Sequence, residues 1–133
     1  MYKCDAQSFH SQNDSKSLAH HEAVDKAVEY IGKNYRSRIS LESIVADMFF
    51  SKGYFRQLFR SIIGMSVTDY IQKTRIDEAI RLISTTDRTI FEIAGECGFA
   101  DVKFFYKTFK KITGKTPKEY RQNSTKSKEA NLS

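Results

Sequence analysis

The chain has 133 residues, of which 40% are hydrophobic and 29% charged, and its formal net charge is +6. This length allows one compact domain or two small subdomains, and no apolar run approaches the ~18 residues of a membrane span. The first 17 residues contain no apolar core of signal-peptide length. The sequence therefore argues against a secreted or membrane-bound protein and predicts a cytoplasmic one.

The positive charge is concentrated in the second part of the chain. Residues 1–50 hold 6 Lys+Arg against 7 Asp+Glu, whereas residues 51–133 hold 16 against 9. A cationic excess confined to one part of a basic chain indicates a polyanionic partner, of which nucleic acid is the commonest. Solvated surface lysines are the simpler alternative, so the charge alone does not decide the function.

Hydrophobic periodicity predicts an all-α fold of about seven helices, since the chain has one proline, six glycines and no sustained strand-like alternation. Glycines are expected to end the third and sixth helices, at Gly64 and Gly114. In chain order, the predicted helices are about 20–34, 41–48, 51–63 and 66–84, a short helix capped by Thr89, a helix from Asp101 to Gly114, and a last one starting near 116–117.

An internal repeat pairs residues 40–72 with residues 89–122. Ile44 pairs with Ile93 at a spacing of 49, and after one inserted residue Phe55 pairs with Phe105 at a spacing of 50. Each copy is a short helix, a tight turn, an N-cap and a second helix, which is the helix-turn-helix arrangement. The sequence therefore predicts two such units in tandem.

The repeat also predicts how the chain is divided. The expected parts are a flexible tail at 1–17, a first helix-turn-helix subdomain at 18–65, a connecting helix at 66–84, a second subdomain at 85–123 and a flexible tail at 124–133. A connecting helix of ~18 residues at ~1.5 Å per residue spans ~27 Å. With the subdomains added, the second helices of the two units, about 51–63 and 101–113, can occupy major-groove segments ~34 Å apart. An asymmetric DNA site with two unlike halves is the expected target.

The second helix of each unit separates into a core face and an outward cationic face. The residues expected to anchor these helices are Phe55, Leu58, Phe59 and Ile62 in the first unit, and Phe105, Phe109 and Ile112 in the second. The residues expected to point outward are Lys52, Gly53, Arg56, Gln57 and Arg60, and then Val102, Lys103, Tyr106, Lys107 and Lys110. Because the cationic face recurs at equivalent positions, DNA contact is favoured over an ordinary solvated surface.

Arg56 is the strongest candidate for reading a base. Its guanidinium group can bond to guanine O6 and N7 together, and the amide of Gln57 can pair in a similar way with adenine. Positively charged or hydroxyl side chains at the ends of these helices are better placed for the DNA backbone. The candidates for phosphate contact are Ser51, Lys52, Arg60, Lys110 and Lys111.

Residues about 20 to 123 resemble the DNA-binding domain of the AraC/XylS family of transcription regulators. The most specific stretch is IAGECGFADVKFFYKTFKKITGKTPKEYR, which is similar to the family's signature over its second helix-turn-helix unit. The segment LFRSIIGMSVTDYIQKTRIDEAIRLI resembles the end of the first unit and the connecting helix. The resemblance implies seven helices, two recognition helices in adjacent major-groove segments, and usually activation of transcription through contact with RNA polymerase. Carried over by position, the base-reading candidates are Gly53, Arg56, Gln57, Val102, Lys103, Tyr106 and Lys107.

Two residues of the first unit depart from the family pattern. Members usually have glycine in the first turn, where this chain has Phe49, and a left-handed backbone at Phe49 would be strained, so a differently shaped turn is expected. Members often carry a larger side chain where this chain has Gly53, so the first half-site is expected to receive one fewer contact.

Most members also have an effector-binding or dimerisation domain. This chain is therefore expected to be either a small stand-alone regulator that binds DNA as a monomer or the DNA-binding domain of a longer protein.

Neither the cysteines nor the histidines suggest catalysis or metal binding. Cys97 is expected to be a small core residue and Cys4 an inert thiol, and His10, His20 and His21 are expected at the surface without metal-ligand spacing. The chain has no glycine-rich phosphate loop and no HExxH motif. No enzymatic activity, metal or cofactor is therefore predicted.

Two alternative functions stay open. The chain could be a helical protein-interaction module, or the DNA-binding part of a larger effector-responsive or DNA-repair protein, since some repair methyl acceptors join a reactive cysteine to a domain of this kind. Salt distinguishes DNA binding from a protein-binding groove, because each phosphate contact contributes ~0.9 to the slope of log affinity against log salt.

Overall fold

The computed structural model describes the backbone of residues 14–123 and the side chains of residues 18–123. Within this range the regular structure is entirely helical, which confirms the predicted all-α fold of seven helices. Expectations for Cys4, His10 and residues 124–133 fall outside the described residues. The helices are α1 (Asp14–Asn34), α2 (Leu41–Val45), α3 (Lys52–Ile63), α4 (Val67–Thr85), α5 (Ile90–Glu96), α6 (Val102–Thr113) and α7 (117–123).

Helix α1 begins at Asp14, earlier than the predicted start near His20. The expectation relied on the apolar stripe, of which Val24, Ala27 and Ile31 are buried. Leu18, before this stripe, is exposed, so the apolar pattern does not extend to the start of the helix.

Helix α2 is shorter than predicted, because it ends at Val45 and not at Met48. A hydrogen bond from Met48 N to Val45 O, 2.9 Å long, closes a turn directly after the helix. Ile44 is buried, and Leu41 and Val45 are half-buried.

Polar side chains and glycines define the helix ends, as the sequence predicts. Gly64 and Gly114 follow α3 and α6 in the left-handed conformation, with φ of 94° and 84°, and each donates its N–H to a carbonyl of the last turn. The backbone N–H groups at the helix starts are accepted by side chains. These N-cap residues are Ser40 for α2, Ser51 for α3, Thr89 for α5 and Asp101 for α6.

The described residues form two compact units. The first contains residues 14–34 and Arg38–Ile71, and the second contains Tyr35–Ser37 and 72–123. Both units therefore share helix α4, and the second unit also includes the three residues that follow α1. The first unit has a core built from α1, α2, α3 and the start of α4, which contributes Val67 and Ile71. The core of the second unit consists of Ile76, Ala79, Leu82, Ile83, Ile93, Ala94, Cys97, Phe99, Phe105 and Phe109.

Among residues 14–123, no helix combines the length and the apolar character needed to cross a membrane.

Candidate nucleic-acid interface

The turn of the second helix-turn-helix unit requires glycine at position 98. Gly98 has a φ of 98°, and its N–H donates to Gly95 O at 3.1 Å. A Cβ at this position would lie 2.4 Å from the carbonyl oxygen of Tyr35, which is shorter than any tolerated contact. Gly98 therefore meets two requirements that no other residue meets, a left-handed backbone and close approach to another main chain.

Arg75, in α4, contacts both residues 35–37 and the turn that contains Gly98. Its Nε donates to Tyr35 O at 2.8 Å and its guanidinium Nη2 to Ser37 O at 3.0 Å. The guanidinium carbon lies 5.9 Å from the centroid of the Phe99 ring, within the range of a cation–π contact. Burial lowers the pKa of Arg75. One half-buried side chain thus joins residues 35–37 to the turn that precedes α6.

The first turn is built differently, as the sequence predicts. Phe49 occupies the position that Gly98 occupies in the repeat, and no non-glycine residue among residues 14–123 has a positive φ. The Phe49 side chain is fully exposed. The turn before α3 therefore forms without a left-handed residue and leaves the Phe49 ring in solvent.

The outward face of α3 matches the prediction. Phe55 and Phe59 are fully buried, and the exposed residues on the opposite side are Lys52, Gly53, Arg56, Gln57 and Arg60. Lys52 Nζ lies 2.8 Å from Glu42 Oε2. That hydrogen bond, together with a weaker effect of the Arg56 charge, lowers the pKa of Glu42. Within the described part of the chain, Arg56, Gln57 and Arg60 have no hydrogen bond or ion pair through their side chains.

A shallow groove of about 290 Å³ runs beside this face, between α3 and the start of α4. It is lined by the buried Val67 and Ile71 and by the three long polar side chains exposed on α3, Arg56, Gln57 and Arg60. Ser66 and Thr68 also line it, two hydroxyl residues that no helical pattern or charge marks as candidates for the site. The remaining lining residues are Ile39 and Leu41.

Helix α6 repeats the pattern of α3 with lysines as the cations. Phe105, Thr108 and Phe109 are buried, and Tyr106 is 38% exposed. The exposed cations are Lys103, Lys107, Lys110 and Lys111. None of these four lysines forms an ion pair within residues 14–123. The cationic faces of both second helices are therefore accessible.

The structure corrects two orientations on α6. Ile112, predicted to anchor the helix, is 42% exposed, and Thr108 is buried instead, because α6 ends at Thr113 and its last turn extends past the core. Val102, predicted to point outward, is half-buried and packs against the core of the second unit. Val102 precedes Phe105 by three residues and therefore lies on the same buried stripe.

His20 was predicted to be a surface residue, but it is half-buried beside the first turn. Its ring centroid lies 5.7 Å from that of Phe50 and 5.8 Å from that of Tyr54. His20 Nε2 and the Tyr54 hydroxyl are 3.1 Å apart, within hydrogen-bond distance. The position of His20, four residues before Val24 on the apolar stripe of α1, was the signal that could have located it. His21 is also half-buried.

Cys97 is a core residue, as predicted, and is fully buried. Burial raises the pKa of its thiol to about 12. Cys97 is therefore protonated at neutral pH and shielded from solvent, which makes it unreactive.

Residues 44–123 match the protein family described as "Helix-turn-helix domain". The bifunctional transcriptional activator/DNA repair enzyme AdaA of Bacillus subtilis is 36% identical over 103 residues, covering 77% of this chain and 49% of AdaA. The transcriptional activator AarP of Providencia stuartii is 31% identical over 102 residues, covering 77% of this chain and 76% of AarP. This chain thus spans about half the length of AdaA.

Solved structures show the same fold. The DNA-binding domain of AdpA, a global transcriptional factor crystallised with a target DNA, has a TM-score of 0.71 and 26% identity over 75% of this chain and 90% of that domain. A probable AraC family transcriptional regulator from Rhodopseudomonas palustris has a TM-score of 0.70 and 26% identity over 77% of this chain and 97% of its own.

Two helix-turn-helix units with exposed cationic second helices, together with these matches, identify the chain as a helix-turn-helix domain of the kind that DNA-binding transcription regulators carry. More specifically, it belongs to the AraC/XylS family.

Proposed function

We propose that this chain recognises double-stranded DNA by placing α3 and α6 in successive major-groove segments of an asymmetric site. The observation that carries the proposal is the recurrence of one arrangement in both units. A pair of fully buried phenylalanines, Phe55 with Phe59 and Phe105 with Phe109, anchors each helix and leaves an exposed cationic face opposite. A helix held in this way presents its outward side chains to base edges and phosphates.

The proposed base-reading residues are the exposed side chains nearest the start of each helix. In the first unit Arg56 and Gln57 supply paired hydrogen bonds, and Gly53 allows close approach because it has no side chain. In the second unit the readers are Lys103, Tyr106 and Lys107. Val102 packs on the core, so only the exposed part of its side chain is available to contact a base.

The proposed phosphate contacts flank these readers. Ser51 Oγ already accepts the N–H of Tyr54, so its hydroxyl hydrogen is available to donate to a phosphate oxygen. Lys52 would exchange Glu42 for a phosphate. Lysines and arginines farther along the helices complete the set, which is Ser51, Lys52, Arg60, Lys110 and Lys111.

We also propose that the regulator activates transcription through RNA polymerase. AdaA and AarP are both named as transcriptional activators, which supports this direction of regulation. Binding as a monomer follows from the two tandem readers, since one chain supplies both halves of the contact. The repair activity in AdaA's name is no part of this proposal, because the match covers only 49% of AdaA and contains the helix-turn-helix domain of this chain.

Selection from a randomised duplex library at physiological salt tests the proposal. The expected winner is an asymmetric site with two unlike halves about one helical turn apart, ~10.5 base pairs. A palindromic winner would contradict monomeric binding to a bipartite site. No enrichment, together with an affinity for duplex that hardly depends on salt, would instead favour the protein-interaction alternative.

A further inference from the structure

We infer that His20, Phe50 and Tyr54 form an aromatic clamp that positions α3 for base reading. The clamp fixes the turn before α3 in the first unit, as the glycine turn at Gly98 fixes the turn before α6 in the second. This inference rests on the proposed function, because it concerns how the first reading helix is held against the core.

The second unit fixes its turn through the main chain. Gly98 is left-handed and its backbone lies against Tyr35 O, while Arg75 bonds to the same carbonyl and contacts the Phe99 ring. In the repeat, Phe50 is the counterpart of Phe99, and Phe49 that of Gly98. Phe49 is fully exposed and its backbone is not left-handed, so the first turn has no equivalent main-chain device.

The rings of His20, Phe50 and Tyr54 contact one another beside this first turn. The centroids of Phe50 and Tyr54 are 5.4 Å apart, and His20 lies 5.7 Å from Phe50 and 5.8 Å from Tyr54. All three separations lie within the range of favourable aromatic contacts. The Tyr54 hydroxyl and His20 Nε2, 3.1 Å apart, add a hydrogen bond. The cluster therefore joins helix α1, the end of the turn and the first turn of α3.

The clamp acts on the part of α3 where orientation matters most. Tyr54 lies two residues before Arg56, and its N–H is accepted by the Ser51 side chain at 3.1 Å. Gly53 contributes no side chain, and the Lys52–Glu42 ion pair is exposed to solvent, so it restrains the helix weakly. A reading helix must hold its side chains to about 0.5 Å of their productive positions. Loosening the clamp would therefore misplace Arg56 while leaving the phenylalanine core intact.

Three variants of the full chain separate the parts of the clamp. His20→Ala removes the ring and its hydrogen bond, His20→Phe keeps a ring, and Tyr54→Phe removes only the hydroxyl. Phe104→Leu is the matched control, because Phe104 is the counterpart of Tyr54 in the second unit and lies 6.0 Å from Phe99. Affinity is measured for the selected site and for versions with either half-site scrambled, and thermal unfolding and amide hydrogen exchange are recorded in parallel.

His20→Ala is expected to weaken the full site roughly 3- to 10-fold, the loss of one or two aromatic contacts. It is expected to leave unchanged the affinity for the duplex whose first half-site is scrambled. Exchange of the amides of Tyr54 and Phe55, which donate to Ser51, should become faster while the chain stays folded at the assay temperature. His20→Phe should restore most of the affinity. Phe104→Leu should change the affinity for every duplex much less than His20→Ala does, because Gly98 and Arg75 fix the second turn through the main chain.

Equal losses on all duplexes, or losses explained by the fraction of chain unfolded at the assay temperature, would overturn the clamp and leave the proposed function intact. If the unmodified chain binds no duplex, the proposed function fails. In that case unchanged amide exchange at Tyr54 and Phe55 in His20→Ala would overturn the clamp independently.

Discussion

Lys52 and Arg56 are both exposed on α3, yet they differ in how far their charge is already engaged. Lys52 lies 2.8 Å from Glu42 Oε2, whereas Arg56 has no bonded partner for its N–H groups among the described residues. Ion pairs between exposed side chains contribute little to stability, so Lys52 can exchange Glu42 for a phosphate at little cost. Arg56 enters a complex with its whole guanidinium group available, which suits it to paired hydrogen bonds with one base.

Arg56→Ala is expected to weaken binding to the selected site by ~1–3 kcal/mol and to relax specificity at one base pair, because a bidentate contact discriminates by that amount. Competition binding against single-base variants of the site measures both effects. Arg60→Ala serves as the control and should weaken every sequence alike. If Arg56→Ala also weakens every sequence alike, Arg56 contacts phosphate and does not read a base.

Lys110 tests the phosphate contacts of the second unit. It is exposed near the end of α6, and its removal should lower affinity for all duplexes and reduce the slope of log affinity against log salt by ~0.9. Titrations at several salt concentrations measure this slope. Lys118→Ala is a suitable comparison, because Lys118 is exposed on α7 and lies outside the proposed contacts. A slope identical to that of the unmodified chain would argue against a phosphate contact at Lys110.

At the scale of the helix-turn-helix element, alanine substitutions at Gly98 and Gly64 distinguish the cost of backbone strain from the cost of a steric clash. Both glycines have a positive φ, but only a Cβ at position 98 meets other atoms, with Tyr35 O at 2.4 Å. Gly64→Ala should destabilise the chain by ~1–2 kcal/mol, the cost of a left-handed residue with a side chain. Gly98→Ala should add ~1–3 kcal/mol for overpacking against the main chain.

Urea unfolding of the two variants and of the unmodified chain measures the difference. Equal destabilisation by Gly98→Ala and Gly64→Ala would show that the approach to Tyr35 O does not restrain the second turn.

The elements also show which features the sequence could predict. The helices, their caps at Thr89 and Asp101, and the phenylalanine anchors follow from local chemistry and periodicity, and all were found in the structure. Val102 was misplaced because its counterpart Lys52 is polar, although its own spacing to Phe105 puts it on the buried stripe. An alignment of the two repeats identifies equivalent positions, but whether a side chain is buried also depends on which residue occupies the position.

The contacts that shape the turns were beyond local reasoning. The approach of Gly98 to Tyr35 and the bonds from Arg75 to residues 35–37 join segments about 40 or more positions apart in the chain. No periodicity within one helix contains information about such a contact. His20 is an intermediate case, since its place on the stripe of α1 was visible but its partners were not.

At the scale of the whole molecule, the two units offer unlike chemistry to DNA. The first presents Arg56 and Gln57, which can form directional hydrogen bonds, and the second presents lysines that attract phosphates with little dependence on geometry. We therefore propose that the first unit supplies most of the sequence discrimination and the second a larger share of the non-specific affinity. The backbones of the two units differ as well, because the second turn contains one extra residue, Ala100, that has no counterpart in the first.

Single-base substitution across the selected site tests this division of labour. Changes in the half-site bound by α3 should cost ~1–3 kcal/mol each, as mismatches in directly read positions do, and changes in the other half-site should cost less. Arg56→Ala identifies the α3 half-site, because it should abolish the preference at one position there. Lys107→Gln should lower affinity for unrelated duplex more than Gln57→Ala does, since Lys107 contributes charge and Gln57 contributes none. Equal penalties in both half-sites, or a larger loss of non-specific binding in Gln57→Ala, would show that the two units read DNA alike despite their different side chains.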